Sequence, residues 1–171
     1  LQKGIDNTML LNETFTVANF KQQLLQQPYS MVHIASHGVF GNTADTSFVM
    51  AFDDLLTMNQ LEQLLKSDKF TKQPVELLTL SACQTAEGDD RAPLGISGIA
   101  IKAKVKSALG SLWPVDDAAA SELMTKFYQN LAKGKLNKAQ ALQQAQLKLL
   151  KEPAMNHPYF WSPFILVGNW L

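Results

Sequence analysis

Apolar residues in this chain fall into short, nearly continuous runs, and each run is bounded by polar or glycine-containing segments. Runs of four to eight apolar residues between turn signals are typical of buried β-strands. The pattern predicts strands at residues 30–36, 48–52, 75–81, 105–113 and 163–167, with a short edge strand at 8–11.

The segments between these runs show helical spacing and recognisable helix starts. Thr16 can cap a helix that carries Val17, Phe20 and Leu24 on one face, and Thr57 with Gln60 makes a capping box. Further helices are predicted at 94–103, at 118–132 after Asp116 or Asp117 with Gly134 at the end, and from Asn137 to a stop before Pro153; loops are predicted at 38–46 and 84–91.

Helices that separate short apolar strands favour parallel pairing, with helices covering both faces of the sheet. We therefore expect an α/β fold, a three-layer α/β/α sandwich with a mostly parallel sheet. In such sheets the reactive groups gather beyond the carboxyl ends of the strands.

His37 follows the predicted strand 30–36, and Cys83 follows the predicted strand 75–81. Adjacent strands lie ~4.8 Å apart. If these two strands are neighbours, His37 and Cys83 emerge side by side at one edge of the sheet, within ~7 Å of each other.

The stretch HIASHG also raises a metal-binding alternative, because His33 and His37 lie four residues apart. In a strand these two residues are separated by ~13 Å, whereas two ligands of one zinc ion each lie within ~2.1 Å of it. The stretch also lacks the glutamate of a helical HExxH motif. We interpret His33 as a histidine that is hydrogen-bonded inside the sheet, either as a core residue or as one that supports the site residues from behind, and expect no metal.

Cys83 is the only cysteine in the chain. A lone cysteine is most often an inert, buried small side chain. In LTLSACQTAEG, however, Cys83 stands where a strand gives way to a polar loop, which favours an accessible sulfur. A nearby imidazole would favour the thiolate, the form that attacks a carbonyl carbon.

Composition narrows the function classes further. The formal net charge of +0 gives no global field that would attract nucleic acid or an anionic membrane. No run approaches the ~20 apolar residues that span a bilayer. One cysteine excludes an internal disulfide, and nothing indicates an oxidising compartment, so a cytoplasmic location is expected.

Four motifs, in this order, resemble the CHAT domain, a group of caspase-like cysteine peptidases often attached to TPR repeats. The motifs are VHIASHG, LLTLSACQTAEG, KSALGSLWPVDDAAASELMTKFYQNLAKG and HPYFWSPFILVGNW. The resemblance implies a caspase–haemoglobinase fold, with His37 as the catalytic histidine and Cys83 as the nucleophile. It also implies that residues 1–171 are a single CHAT domain that lacks its N-terminal part, and that TPR repeats lie upstream.

The resemblance leads to a functional expectation: a cysteine endopeptidase that cleaves protein or peptide substrates in a regulated signalling or defence context, without a cofactor. Backbone N–H groups of Gly38 and Cys83 are candidates for the oxyanion hole, although Gly38 could instead serve a turn with positive φ. Trp113 and Asp116 are candidates for the pocket that receives the side chain before the cut bond, with a preference for Arg or Lys. In the alternative interpretation Trp113 is a packing residue and Asp116 caps the following helix together with Asp117, which leaves the pocket neutral and apolar. Asp117 itself is interpreted as a helix cap.

Two other classes of function stay open at this point. One is a catalytically latent caspase-like module that binds proteins. The other is a flavodoxin-like binding domain using the same sheet edge, although no glycine-rich phosphate loop follows the first strand. His157, Trp161 and Trp170 are interpreted as residues that pack the last strand.

Overall fold

The computed structural model describes residues 7–40, 46–81, 84–85 and 104–171. Both strands and helices form along these ranges, after a short 3₁₀ turn at Asn12–Thr14. The strands are β1 Met31–Ala35, β2 Gly38–Phe40, β3 Phe48–Met50, β4 Leu55–Thr57, β5 Leu77–Ser81, β6 Gln84–Thr85, β7 Ser107–Ser111 and β8 Phe164–Gly168. The helices are α1 Val17–Gln26, α2 Met58–Leu65, α3 Asp68–Lys72, α4 Asp117–Ala132, α5 Lys138–Leu150 and α6 Pro158–Trp161.

The main sheet has the strand order β1-β5-β7-β8. β1, β5 and β7 run parallel, with Ala35 opposite Ser81 and Leu80 opposite Gly110. β8 is antiparallel to β7. The expectation of a mostly parallel sheet is therefore confirmed, with the last strand as the antiparallel edge.

Side chains alternate between the two faces of β5 and build a separate core on each. Leu78 and Leu80 join Val32 of β1 in a core with α1, α2 and α3. Leu77 points to the opposite face and packs in a core formed with α4 and α5. Helices cover both faces, so the three-layer sandwich predicted from the sequence is confirmed.

A second, smaller sheet lies beside the carboxyl edge of the main one, with the order β4-β3-β2-β6. β2 pairs antiparallel with β3 and parallel with β6. The predicted loops 38–46 and 84–91 were therefore wrong at Gly38–Phe40 and Gln84–Thr85, which form short strands. The remaining parts of both loops at 41–45 and 86–91 lie outside the described residues.

The predicted helix starts are confirmed by side-chain hydrogen bonds to the first-turn amides. Thr16 accepts from Asn19 N, and capping boxes form at Thr57 and Asn137. Gly134, at φ 65, follows the end of α4 as predicted.

Asp116, rather than Asp117, is the cap of α4. The Asp116 carboxylate accepts a hydrogen bond from Ala119 N at 2.9 Å, whereas Asp117 is the first helical residue. The interpretation of Asp117 as the cap was wrong, because only the residue just outside the helix has the extended backbone that turns its side chain back onto the first-turn amides.

Residues 8–11, predicted as an edge strand, form no strand, and the chain there leads into the 3₁₀ turn. The predicted strand 30–36 is β1, but its side chains are not all buried because β1 is an edge strand. Helix α3 was not predicted, and the predicted helix at 94–103 lies outside the described residues.

Leu78 lies on the central strand β5 with 0% exposure. Leu78→Ala should lower the free energy of unfolding by about 2–5 kcal/mol, because it leaves a cavity between the sheet and helices α1 to α3. Urea denaturation monitored by circular dichroism measures this loss. The control Leu147→Ala, at a residue of α5 that is 38% exposed, should cost less than about 1 kcal/mol. Equal losses in the two variants would contradict the assignment of the core.

Candidate functional site

The carboxyl ends of three parallel strands meet at one edge of the main sheet. β1 ends at Ala35, β5 at Ser81 and β7 at Ser111, with β5 in the middle. The predicted adjacency of the strands that precede His37 and Cys83 is therefore confirmed. Cys83 itself lies outside the described residues.

The segment that carries His37 is hydrogen-bonded to the backbone of β3. The Ser36 hydroxyl donates to Met50 O at 2.5 Å, and Met50 N donates to His37 O at 2.8 Å. The His37 side chain is exposed at this edge. The backbone of Met50 thus binds the chain at both Ser36 and His37, while the His37 imidazole stays exposed to solvent.

Gly38 is buried where β2 begins, and the reason is close packing. A Cβ at this position would lie 2.8 Å from Phe48 O and 3.0 Å from Val49 Cγ1. The alternative of a turn with positive φ was wrong, since Gly38 is not among the residues with positive φ. Glycine is required here because the paired strand β3 approaches the backbone of Gly38 too closely to leave room for a Cβ.

The strand register fixes the direction of the Gly38 N–H. Gly38 lies opposite Val49, and the bond from Met50 N to His37 O identifies them as a non-hydrogen-bonded pair. In such a pair the backbone N–H of each residue points away from the partner strand. The Gly38 N–H is therefore directed away from β3, to the side on which β6 pairs with β2.

His33 lies inside the main sheet and is hydrogen-bonded there, as the sequence predicted. Its Nε2 lies 2.7 Å from Ser81 Oγ, which joins β1 to the last residue of β5. The ring stacks on Tyr128 of α4, with centroids 5.5 Å apart and planes at 28°. Burial lowers the pKa of His33 to about 4, so the imidazole is neutral near pH 7.

Tyr128 adds a second hydrogen bond to the same group of side chains. Its hydroxyl donates to Thr79 Oγ1 at 2.8 Å, and Thr79 lies opposite His33 in the strand register. Burial raises the pKa of Tyr128 to about 12, and the bond to Thr79 opposes the rise. A polar cluster, composed of His33, Thr79, Ser81 and Tyr128, therefore lies beneath the carboxyl edge.

The two candidate pocket residues follow β7. Trp113 is partly buried, and its Nε1 donates to Tyr159 O at 3.3 Å. Asp116 is exposed and uses Oδ1 for the cap of α4. Both follow the strand that lies next to β5, on the side opposite β1.

The three aromatic residues assigned to packing of the last strand differ in their roles. His157 caps the short helix α6 through Nδ1, which accepts from Tyr159 N. Trp161 packs at the margin of the core with α4 and α5. Trp170 is 54% exposed, so its predicted packing role was wrong.

A cavity of about 350 Å³ lies at the opposite edge of the main sheet, at the amino ends of β1 and β5. Burial lowers the pKa of Lys138 there, and nearby Glu76 opposes that shift. This cavity is separated from His37 by the length of the strands and is not part of the candidate site. Its lining residues are Ser30, Met31, Glu76, Leu77, Leu131, Ala132 and Lys138.

Comparison with known proteins identifies the family of this chain. The family model of the CHAT domain matches residues 1–169. The chain belongs to the CHAT domain family. The family carries a caspase-like α/β fold, in agreement with the mostly parallel sheet and its two helical layers.

The chain is also similar to curated proteins that bear tetratricopeptide repeats in their name. It is 31% identical over 98 residues to Tetratricopeptide repeat protein 28 of Homo sapiens, and 31% identical over 97 residues to the Mus musculus protein of the same name. Each match covers 56% of this chain and 4% of the relative. The chain thus spans only a small part of the length of these relatives.

None of the helices at 7–40, 46–81 or 104–171 is long and apolar enough to cross a bilayer. Within the same ranges, no group of three or more His, Cys, Asp or Glu side chains could hold a metal ion.

The neutral state of His33 makes stability depend on pH. The unfolded chain binds a proton at His33 near pH 6.5, but the folded protein binds one there only near pH 4. The contribution of neutral His33 to the free energy of unfolding is therefore fully present above pH 6.5, and it is lost as the pH falls toward 4. The loss amounts to at most about 3 kcal/mol. Urea denaturation between pH 7.5 and 4 measures it, and the His33→Gln variant should lack this component. A His33→Gln variant with the same pH dependence as wild type would contradict the assignment.

Proposed function

We propose that this CHAT domain is a caspase-like cysteine endopeptidase in which His37 and Cys83 form the catalytic pair. One observation carries the proposal. Two pairs of residues, Ala35 with Ser81 and Val39 with Gln84, lie opposite each other in parallel strands on either side of the candidate residues.

Chain connectivity then limits the separation of His37 and Cys83. Residues 36–38 join the first pair to the second on one side, and residues 82–83 join them on the other. Because both segments are short and connect the same two strand pairs, we expect them to lie at about the strand spacing of ~4.8 Å from each other. We expect the sulfur and the imidazole to lie within ~7 Å before substrate binds, and to approach further in the complex.

The chemistry follows from a thiolate beside an imidazolium. The Cys83 sulfur attacks the peptide carbonyl carbon, forming an S–C bond and a tetrahedral oxyanion. His37 gives its proton to the leaving nitrogen as the C–N bond breaks, which leaves a thioester. Water then attacks the thioester while His37 accepts its proton, and the S–C bond breaks to release the carboxylate product.

The oxyanion needs hydrogen-bond donors placed before the reaction begins. The backbone N–H of Gly38 points away from β3 toward the side of β6, which is the direction this role requires. We assign it to the oxyanion hole together with the N–H of Cys83. A well-aimed donor of this kind contributes ~3 kcal/mol to stabilisation of the transition state.

We infer that residues after β7 receive the substrate side chain. Trp113 would form an apolar wall, and Asp116 would bind an incoming cation through Oδ2 while Oδ1 caps α4. A charge-assisted hydrogen bond of this type contributes ~1.5–3 kcal/mol. We therefore propose a preference for Arg or Lys before the cut bond.

The relatives suggest the setting in which this domain works. Their printed name contains tetratricopeptide repeats, which favours an arrangement with TPR repeats in the full-length protein. We propose that residues 1–171 act as one CHAT domain, cytoplasmic in location, whose peptidase is regulated by those repeats in signalling or defence. The same relatives support a second candidate, a latent caspase-like module that only binds proteins.

Activity of the full-length protein distinguishes the two candidates. Cleavage of a mixture of unstructured proteins, followed by mass spectrometry of new termini, should be lost at least 100-fold in Cys83→Ala and in His37→Ala. The control His157→Ala removes another exposed histidine, which caps α6, and should retain cleavage. Cleavage that persists in Cys83→Ala, or its absence in the wild-type protein under conditions of activation, would favour the binding module.

Fluorogenic peptides that differ only at the residue before the cut bond test the pocket. Arg and Lys peptides should be cleaved about ten- to a hundred-fold faster than Leu or Asp peptides, as a ~1.5–3 kcal/mol interaction implies. Asp116→Asn keeps a capping side chain and should remove this preference. Equal rates for Arg and Leu peptides, or an unchanged preference in Asp116→Asn, would exclude Asp116 as the selector.

A further inference from the structure

The catalytic proposal gives no role to His33, whose side chain reaches across from β1 to β5 through its hydrogen bond with Ser81. Its partner Ser81 is 6% exposed, ends β5 and precedes Cys83 by one intervening residue. The hydrogen bond therefore lies at the last residue of β5, two positions before Cys83 in the sequence.

We propose that His33 and Ser81 are a positioning pair that fixes the carboxyl end of β5 and, through it, the direction in which the Cys83 sulfur faces the substrate. The inference rests on the proposed function. It assigns neither residue to the chemistry itself, since neither touches the reacting atoms.

The His33 ring is held on more than one side, as a positioning role requires. Tyr128 stacks on it from helix α4, and this contact is made by the ring of Tyr128 and not by its hydroxyl. Ring orientation is thus set by packing, while the Nε2 atom makes the bond to Ser81. The neutral imidazole keeps this bond unchanged across the physiological pH range.

The two faces of β5 differ in polarity, and the face toward α1 to α3 is occupied by residues that only pack. Leu78 and Leu80 fill that face with apolar side chains. On the face toward α4, the strand instead carries Thr79 and Ser81, both buried and both hydrogen-bonded to partners on other elements. Burying polar groups is costly unless they are paired, and a directional bond at the strand end restrains orientation in a way that apolar packing does not.

A displacement of about 1 Å at a reacting atom can reduce a rate about 100-fold. Ser81→Ala removes the bond while the His33 ring stays stacked on Tyr128. In the full-length protein at pH 7.5 we expect a ten- to hundred-fold lower kcat, with KM within about twofold of wild type. His33→Phe removes the same bond from the other side and should give the same result. Ser81→Thr keeps the hydroxyl and should restore most of the activity.

Tyr128→Phe is the matched control, because it removes a hydrogen bond of the same polar cluster without touching the bond between His33 and Ser81. Its kcat should remain within about threefold of wild type. Stability of every variant is measured by urea denaturation, so that rate and stability are compared directly. If the losses of kcat in Ser81→Ala and Tyr128→Phe are equal, or follow stability alone, the positioning role is wrong.

A second readout does not depend on peptidase activity. The rate of Cys83 alkylation by iodoacetamide at pH 7.5, with the adduct mapped by mass spectrometry, should fall about five- to tenfold in Ser81→Ala and stay unchanged in Tyr128→Phe. If the wild-type protein cleaves nothing, the proposed function fails while this comparison still decides the positioning role. An alkylation rate in Ser81→Ala equal to that of wild type would overturn it.

Discussion

Parallel pairing of β1 with β5 is the constraint on which the rest of the structure depends. It sets Ala35 opposite Ser81, so both strands end at the same level of the sheet. β5 is buried along its whole length because β1 and β7 flank it and helices cover both its faces. A shift of one residue in this register would turn the polar face of β5 toward the apolar core with α1 to α3. Burial of the apolar face therefore fixes the register. The register in turn determines which residues of β1 and β5 lie side by side at the carboxyl edge of the sheet.

The small second sheet continues the alignment of β1 and β5 beyond the carboxyl edge, where the candidate site lies. β2 continues from β1 after a short turn and pairs with β6, which continues from β5. Met50 of β3 then fastens the turn through its backbone. Two neighbouring strands thus leave one sheet and enter another together, and the residues at the crossing are those that the family resemblance marks as catalytic. In the proposed function this crossing is what would bring the two groups of the catalytic pair together, because they follow different strands.

Sequence pattern predicted the elements whose signals are local. The apolar runs of β5 and β7 and the capping residues Thr16, Thr57 and Asn137 act over a few neighbouring residues, and all are confirmed. β2, β4 and β6 are only two or three residues long. Such short strands exist because partners elsewhere in the chain pair with them, so no window of sequence carries their signal. The choice between two adjacent carboxylates as the cap of α4 was likewise decided by backbone conformation rather than by residue type.

The candidate site was predicted as far as strand order allows. The position of His37 after β1, next to the strand that precedes Cys83, follows from polar residues at the ends of apolar runs. The hydrogen bond between His33 and Ser81 was not predicted, because it depends on the register between two distant strands. A signal for it exists in LTLS, where polar residues alternate with leucines and so mark one face of β5 as polar.

The pH dependence of Cys83 alkylation tests the central claim, an ion pair between the Cys83 thiolate and the His37 imidazolium, most directly. The rate is measured in the full-length protein and in His37→Ala, with the adduct mapped by mass spectrometry. The account predicts a midpoint below the ~8.5 of a free thiol in the wild-type protein, and a higher midpoint once the imidazole is removed. A midpoint at or above that of a free thiol, unchanged in His37→Ala, would contradict it.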